Sequence, residues 1–316
     1  MLRSEAALVH RIGDPQRDSK GELLMMGNDE VSGALRMQIV VDNQLSKEAS
    51  TATATPLGTE HGFAVWVEFG GRCLLFDTGQ GGVLAENLAA LGLSASALDG
   101  VLLSHGHYDH AGGLPWVMQQ APQAELYLHP AAVSARYAVR PTGVKSIGMP
   151  QAARETVASL PASRLHRVST PLRLGAAMGL TGSIPRREAL ETTGGPFFLD
   201  EQGREPDPIV DDLALWIRSS RGLVVLLGCG HSGVLNSIDE AMRQSCAESV
   251  YAVIGGFHLN AASEARLQRT VEGLRAWDPA LLVPCHCTGE EATAYLAAQL
   301  GERVKRGGVG WTLSLS

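Results

Sequence analysis

Three histidines and an aspartate crowd into six consecutive positions of this chain. His105, His107, Asp109 and His110 are separated only by Gly106 and Tyr108. They follow directly on residues 100–103, a short apolar run that reads as a buried strand. Alternate residues of an extended segment point the same way, so His105 and His107 can face one cation together. As the chain turns toward the next helix, Asp109 and His110 swing to a neighbouring position. Imidazole nitrogen and carboxylate oxygen are ligands that zinc and related divalent ions take. Gly106, Gly112 and Gly113 allow close backbone approach there. Three of the chain's ten histidines in one hexapeptide is poorly explained by a merely polar loop. A site built on one loop needs further ligands from distant segments, and the fold must bring them to it.

The rest of the chain suits an α/β domain. Hydrophobic residues make up 45% and charged residues 19% of the 316 residues, which is globular composition. Residues 1–36 are weakly patterned and read as a variable N-terminal extension, with one domain from 37 to 316. Strands are expected at 37–41, 63–69 and 72–76, the last two joined by a turn at Gly70-Gly71. Further strands are expected at 100–103, 125–129, 214–217, 223–227, 250–254, 281–284 and 311–316. Helical spacing appears at 85–91, 113–120, 234–244, 263–277 (capped by Ser263) and 290–300. Between about 130 and 210 the pattern breaks, with frequent Pro, Gly and Arg. That stretch reads as an irregular insertion serving as a lid or substrate-binding segment. Early hairpins followed by strand–helix alternation fit two mixed sheets with outer helices better than a single parallel sheet.

Charge and cysteine content narrow the function classes. A net charge of −7 carries no basic surplus for nucleic acid or an anionic membrane. The five cysteines are odd in number, the N-terminus lacks a long apolar core, and no apolar run approaches membrane-spanning length. The expectation is a cytoplasmic protein that acts on a small molecule and engages neither membrane nor nucleic acid. Its oligomeric state is left open.

Several segments recur in a fixed order around the histidine loop. They are Glu60-His61-Gly62, Asp77-Thr78-Gly79, Ser104 to His110 with Gly112-Gly113-Leu114, and Ile184-Pro185-Arg186. Asp211-Asp212, Gly228-Cys229-Gly230-His231, Gly255-Gly256-Phe257-His258 and His286-Cys287-Thr288-Gly289 complete the series. Together they resemble the metallo-β-lactamase superfamily. The nearest branch contains dihydropterin-ribofuranosyl-aminobenzene-phosphate synthases and metal-dependent hydrolases. The resemblance implies a four-layer αββα sandwich and one or two divalent ions, zinc first, with manganese or iron as alternatives. It places metal ligands at His105, His107, Asp109 and His110, joined by His231 and His286 from the ends of later strands. Asp77 is expected to orient ligand histidines from behind, although a turn Asp capping its own backbone fits as well.

Where many members carry a bridging aspartate, this chain has Cys229. Two readings stand: a thiolate ligand, or a buried neutral cysteine behind the ligands. His258 reads as a ligand, a substrate-binding group or a proton donor. His61 is expected near the cleft as a substrate-binding residue, with a simple turn histidine as the alternative. Arg186 is a candidate for bidentate contact with a substrate phosphate or carboxylate, balanced against ordinary solvated charge.

These readings imply a metal-dependent hydrolase, or hydrolase-like synthase, using a metal-bound hydroxide on a small anionic ester or phosphate. Asp109 would orient the water and His258 would protonate the leaving group. The alternative is a mononuclear iron oxidoreductase on the same scaffold acting on a thiol substrate.

Overall fold

The computed structural model describes residues 33–47, 49 and 55–316. The N-terminal extension expected at 1–36 therefore lies outside the described residues up to position 32. Regular structure begins at Leu35, two residues earlier than expected.

Among the described residues the chain runs β1 (Leu35–Val41), β2 (Ala64–Phe69), β3 (Arg72–Phe76), α1 (Leu84–Ala90), β4 (Gly100–Leu102), α2 (Tyr108–Ala111), α3 (Leu114–Gln120) and β5 (Glu125–Leu128). It continues with β6 (Tyr137–Arg140), β7 (Gly143–Ser146), α4 (Gln151–Ser159), β8 (Leu165–Arg167), β9 (Leu172–Arg173), β10 (Met178–Leu180) and β11 (Phe197–Phe198). The last part is β12 (Ala214–Ser219), β13 (Gly222–Leu227), α5 (Val234–Ser245), β14 (Val250–Gly256), α6 (Glu264–Trp277), β15 (Leu281–Cys285), α7 (Glu290–Leu300) and β16 (Thr312–Leu315).

Two large mixed sheets face each other. The first has seven strands in the order β16-β1-β2-β3-β4-β5-β8, and the second six in the order β15-β14-β13-β12-β10-β9. Their strand composition explains the layering. In β2 and the residue before it, Phe63, Val65, Val67 and Phe69 point into the core between the sheets. The alternate residues Ala64 and Trp66 point to the other face, where Leu84, Leu88, Leu114 and Val117 pack from α1 and α3. Period-two alternation here separates two buried faces rather than an inside from an outside. The second sheet repeats the scheme: Leu215, Ile217, Val224 and Leu226 enter the shared core. Trp216, Val225 and Val253 pack against Val234, Ile238, Leu274 and Leu296 from α5, α6 and α7. The result is the helix–sheet–sheet–helix sandwich implied by the sequence.

Local rules hold at the joints. Gly70 and Gly71 have φ of 59° and 75°, the left-handed pair that a two-residue hairpin between Phe69 and Arg72 requires. The Ser263 hydroxyl accepts from the Arg266 N–H at 3.2 Å and starts α6, as its position in the sequence predicts.

The expectation of an irregular stretch from 130 to 210 is corrected. Strands β8, β9 and β10 are integral to the two main sheets, and α4 packs Ala153 and Val157 under the first. Strands β6, β7 and β11 form a separate three-stranded sheet. These strands are two to four residues long and α4 is mostly polar. Periodicity over so few residues cannot mark an element.

One topological fact positions everything that follows. Strands β3, β4, β5 and β8 are mutually parallel in one sheet, and β13, β14 and β15 in the other. Asp77, the histidine loop, Cys229–Gly230–His231, His258 and His286 all lie just beyond the carboxyl ends of these strands. Side chains in such positions are free of the ladder and can line an open crevice.

Candidate metal centre

The loop after β4 brings His105 and His107 together with His231 from beyond β13. One ligand atom from each lies within 4.8 Å of the others. The His105 Nε2 and His107 Nδ1 atoms are 3.0 Å apart. A second group comprises His61, Asp109 and His286 on the same criterion. The Asp109 carboxylate lies 3.0 Å from His61 Nε2 and 3.5 Å from His286 Nε2. His110 stands between the groups, its ring centre 4.2 Å from that of His105 and 5.1 Å from that of His286. All six residues expected as ligands are thus convergent.

Four of the imidazoles are held by their Nδ1 nitrogen. The Ser104 hydroxyl donates to Asp77 at 2.7 Å and accepts from His105 Nδ1 at 2.9 Å. His110 Nδ1 donates to Asp77 Oδ2 at 2.7 Å. His231 Nδ1 donates to the Thr193 carbonyl at 3.0 Å, and His286 Nδ1 to Asn43 Oδ1 at 2.9 Å. Carboxylate and carbonyl oxygens only accept, so these contacts set the tautomer and leave Nε2 with its lone pair. The Nε2 atoms of His107, His231 and His286 are buried and have no hydrogen-bond partner. Buried polar atoms are seldom left so, and divalent cations at the two groups, one among His105, His107 and His231 and one beside Asp109 and His286, would compensate for it. The residues present therefore fit one or two such ions.

Electrostatics agree with this fit. Burial, reinforced by neighbouring imidazoles, holds His105 and His231 well below the usual histidine range. Burial likewise lowers His107 to about 3. These rings are neutral ligands at any physiological pH. Burial also opposes charge on His110, but Asp77 and Asp109 outweigh it and raise its pKa to about 9. A cation at its Nε2 would displace that proton. Burial opposes ionisation of Asp109, yet His110 and the His286 and His61 imidazoles beside it keep its pKa well below the ordinary carboxylate range.

The backbone of the loop leaves little freedom. Gly106 N–H donates to Asp211 Oδ2 at 2.8 Å, and a Cβ on Gly106 would stand 1.8 Å from the Ala132 carbonyl oxygen. Asp211 is held in turn by Arg136, only 1% exposed, whose Nη1 donates to it at 2.9 Å. Arg136 Nε also faces Asp207 at 3.1 Å. Asp77 itself adopts φ of 61°, a left-handed conformation that Asp and Asn tolerate better than most residues. Asp77→Asn should therefore keep the backbone while presenting an amide N–H to Ser104 or His110, where only an acceptor fits. Metal affinity should fall about 10–100-fold, measured by chelator competition with thermal unfolding as the check on folding.

Two residues assigned from the sequence, His61 and Arg186, meet other partners, and for Cys229 one of its two readings is favoured. His61, expected to bind substrate, has its imidazole on Asp109 within the second group, with its side chain 54% exposed at the mouth. Arg186, expected to meet a substrate anion, donates instead to the His231 carbonyl at 2.6 Å and the Pro208 carbonyl at 2.7 Å. Its position is that of a brace on the His231 turn. Cys229 is buried with its sulfur 3.1 Å from His110 Nε2, close enough to join His105 and His110 as a group of its own. Burial pushes its thiol well above the usual cysteine range, so it is a neutral thiol in the absence of a cation. His258 lies beside His231, ring centres 4.3 Å apart.

Asp42, Asn43, Arg136 and Phe197 were not anticipated. Asp42 accepts from the His286 N–H at 3.2 Å, and Asn43 from the Gly62 N–H at 3.2 Å as well as from His286. An Asp-Asn pair at the end of a strand was the available signal for these two. No local signal marks Phe197, whose ring centre lies 5.6 Å from His107, 5.4 Å from His231 and 6.0 Å from His258. It comes from β11, which pairs with β6; β7, on the other side of β6, leads to Ile147, whose carbonyl accepts from Tyr108 N–H at 3.0 Å. Lys145 Nζ, also on β7, donates to the Tyr108 hydroxyl at 2.7 Å. The small sheet thus lies against the histidine loop.

Comparison with known proteins agrees with this geometry. A 7,8-dihydropterin-6-methyl-4-(beta-D-ribofuranosyl)-aminobenzene-5'-phosphate synthase of Methanocaldococcus jannaschii is 28% identical over 262 residues, spanning 80% of this chain and 89% of that protein. The crystal structure of Tm1679, a metal-dependent hydrolase of the beta-lactamase superfamily, superposes with a TM-score of 0.73 at 27% identity, covering 89% of this chain and 99% of the other. The metallo-beta-lactamase fold protein YhfI from Bacillus subtilis shares the fold at a TM-score of 0.52 and 14% identity, covering 90% of this chain and all of the other. The model of the metallo-beta-lactamase superfamily matches residues 57–286, a span that runs from ahead of His61 to His286 and includes Asp109 and Cys229. This chain is a member of the metallo-beta-lactamase superfamily.

Proposed function

We propose that the protein is a metal-dependent hydrolase, or hydrolase-like synthase, acting on a small anionic ester or phosphate-containing substrate. The observation that carries this reading is the gathering of His105, His107 and His231 in one group and of His61, Asp109 and His286 in another, with the Nε2 atoms of His107, His231 and His286 buried and unpartnered. His105, His107 and His231 would hold one divalent ion. Asp109, His110 and His286, with His61 at the mouth, would hold another. Zinc suits this nitrogen-rich set best, with manganese or iron as alternatives. The chemistry such ions supply when bound is acidification of water and polarisation of an ester or phosphoryl oxygen.

The chain's own groups do the rest. Asp109, ionised and fixed between His61 and His286, accepts at its Oδ2 the proton of the attacking water. His258 presents an Nε2–H to the leaving group, which leaves its Nδ1 free. Phe197 forms an aromatic wall over His107, His231 and His258, keeping bulk water from the reacting atoms and offering a face to a planar substrate group. Lys145 on the small sheet adds a cation at the same mouth. The resemblance to the synthase supports a phosphorylated substrate with an aromatic part. Among the described residues no helix is long and apolar enough to cross a membrane, in keeping with a small soluble substrate, and we place the protein in the cytoplasm.

The test is metal quantification on purified protein joined to a screen of phosphodiesters, phosphomonoesters, lactones and thioesters. His107→Ala should lose bound metal and about a thousand-fold in turnover, matching the several kcal/mol a metal ion contributes. Activity that survived this change would refute the assignment. Stoichiometric iron with oxygen uptake would replace it with the thiol oxidoreductase.

A further inference from the structure

On the far side of Cys229 from His110 lies a second kind of donor group. Cys229, His258 and Cys287 bring two sulfurs and an imidazole nitrogen within 4.8 Å of one another. They follow β13, β14 and β15, three adjacent parallel strands, so the sheet itself sets their spacing. Cys287 Sγ donates to the Cys229 carbonyl at 3.3 Å, which lays one sulfur over the backbone of the other.

The surrounding backbone is shaped to this group. A Cβ on Gly256 would stand 2.6 Å from Cys287 Sγ, and one on Gly194 would stand 2.1 Å from His258 Cδ2. Neither position has room for a side chain while the sulfur and the ring stay where they are. His258 holds φ of 46°, a left-handed conformation that strains a non-glycine residue. Its Nδ1 is buried without a hydrogen-bond partner. Strain and an unsatisfied nitrogen at one residue need a compensating contact, and packing alone supplies none to Nδ1.

We propose that Cys229, His258 and Cys287 form a sulfur-rich cation position, adjoining the imidazole and carboxylate groups through Cys229, that takes a thiophilic ion such as zinc or cadmium. Ideal zinc–sulfur and zinc–nitrogen bonds put tetrahedral donors about 3.5–3.8 Å apart. The observed group therefore needs to contract by an ångström or less. Two thiolates and an imidazole select soft ions over magnesium or manganese. Loading displaces the thiol protons to solvent, and the two thiolate charges offset the dication. The fourth position is left for water. Cys229 Sγ, 3.1 Å from His110 Nε2, is placed to bridge this ion to the neighbouring group.

The experiment is cadmium NMR on the full, reduced, metal-stripped chain titrated with cadmium-enriched salt. A resonance in the sulfur-ligated range is expected beside others in the nitrogen- and oxygen-ligated range. Cys287→Ser should remove the first, lower bound cadmium by one equivalent and keep the others. His258→Gln should shift the same resonance and serves as the second variant if Cys287→Ser folds poorly by circular dichroism. His107→Ala should remove a nitrogen-ligated resonance and leave the sulfur-ligated one, which separates this position from the hydrolase centre. Finding only nitrogen- and oxygen-ligated resonances in the unmodified protein overturns the proposal. So does a sulfur-shifted resonance that Cys287→Ser leaves unchanged, or one that His107→Ala abolishes. A sulfur-ligated resonance alone would uphold this position and count against the hydrolase centre.

Discussion

Arg136→Met should lower the stability of the chain by about 3–5 kcal/mol, the usual consequence of removing one partner from a buried ion pair. The Arg136 guanidinium is the shared counter-ion of two carboxylates, Asp207 and Asp211, and all three side chains are almost fully buried. Burial opposes charge on Arg136, but Asp211 and then Asp207 outweigh it and raise its pKa. With methionine in its place, two carboxylates would face each other in a low-dielectric interior, and at least one would have to take up a proton. The effect should reach the metal loop, because the same Asp211 oxygen that meets Arg136 Nη1 also accepts the Gly106 N–H between two ligand histidines. Urea unfolding followed by fluorescence, with metal content measured in parallel, checks both parts. A second variant replacing Arg136, Asp207 and Asp211 together with apolar residues should recover much of the stability, since a buried ionic cluster is weakly stabilising relative to good apolar packing. It should not recover metal affinity, because Gly106 would still lack its acceptor. A loss under about 1 kcal/mol in Arg136→Met would mean that the cluster is hydrated and not the anchor described.

Gly106→Ala should abolish metal retention and destabilise the fold by more than about 3 kcal/mol, the upper range for an added core methyl. A methyl group there would lie 1.8 Å from the Ala132 carbonyl oxygen, with the Ala132 carbonyl carbon at 2.6 Å. These are backbone atoms of the segment that follows β5, so no side chain can rotate away. Relief requires the histidine loop to lift, which breaks the Gly106 hydrogen bond and moves His105 and His107 off their common point. A control at Gly92, where an added Cβ meets nothing within 4 Å, separates crowding from conformational strain: its φ of 70° makes Gly92→Ala strained but not crowded. That variant should cost about 1 kcal/mol and keep the metal. Retention of full metal occupancy by Gly106→Ala would show that the loop is more compliant than its contacts imply.

The metal loop and its partners were legible before any coordinates because their signal is local. A histidine-rich hexapeptide after an apolar run, and glycine-flanked histidines after later runs, mark strand ends whatever the topology. Element positions were legible for the same reason, as in α7 at Glu290–Leu300 and β3 at Arg72–Phe76, where composition and boundary residues agree. The stretch from 130 to 210 was not legible. Its strands are too short for periodicity and are stabilised by pairing with β5, β6 and β12, partners that local pattern does not reveal.

What the chain's own residues decided without tertiary help is the donor chemistry: imidazoles, one carboxylate and cysteine where a bridging aspartate is common. What only the folded arrangement decided is how those donors are shared out. Long-range contacts moved His61 from the substrate to Asp109, turned Arg186 to the His231 carbonyl, and set Cys229 between a histidine and a second sulfur. Residue type limits what a side chain can bind, but the partner it meets depends on which strand ends are neighbours. That adjacency is a property of two packed sheets and of no single segment.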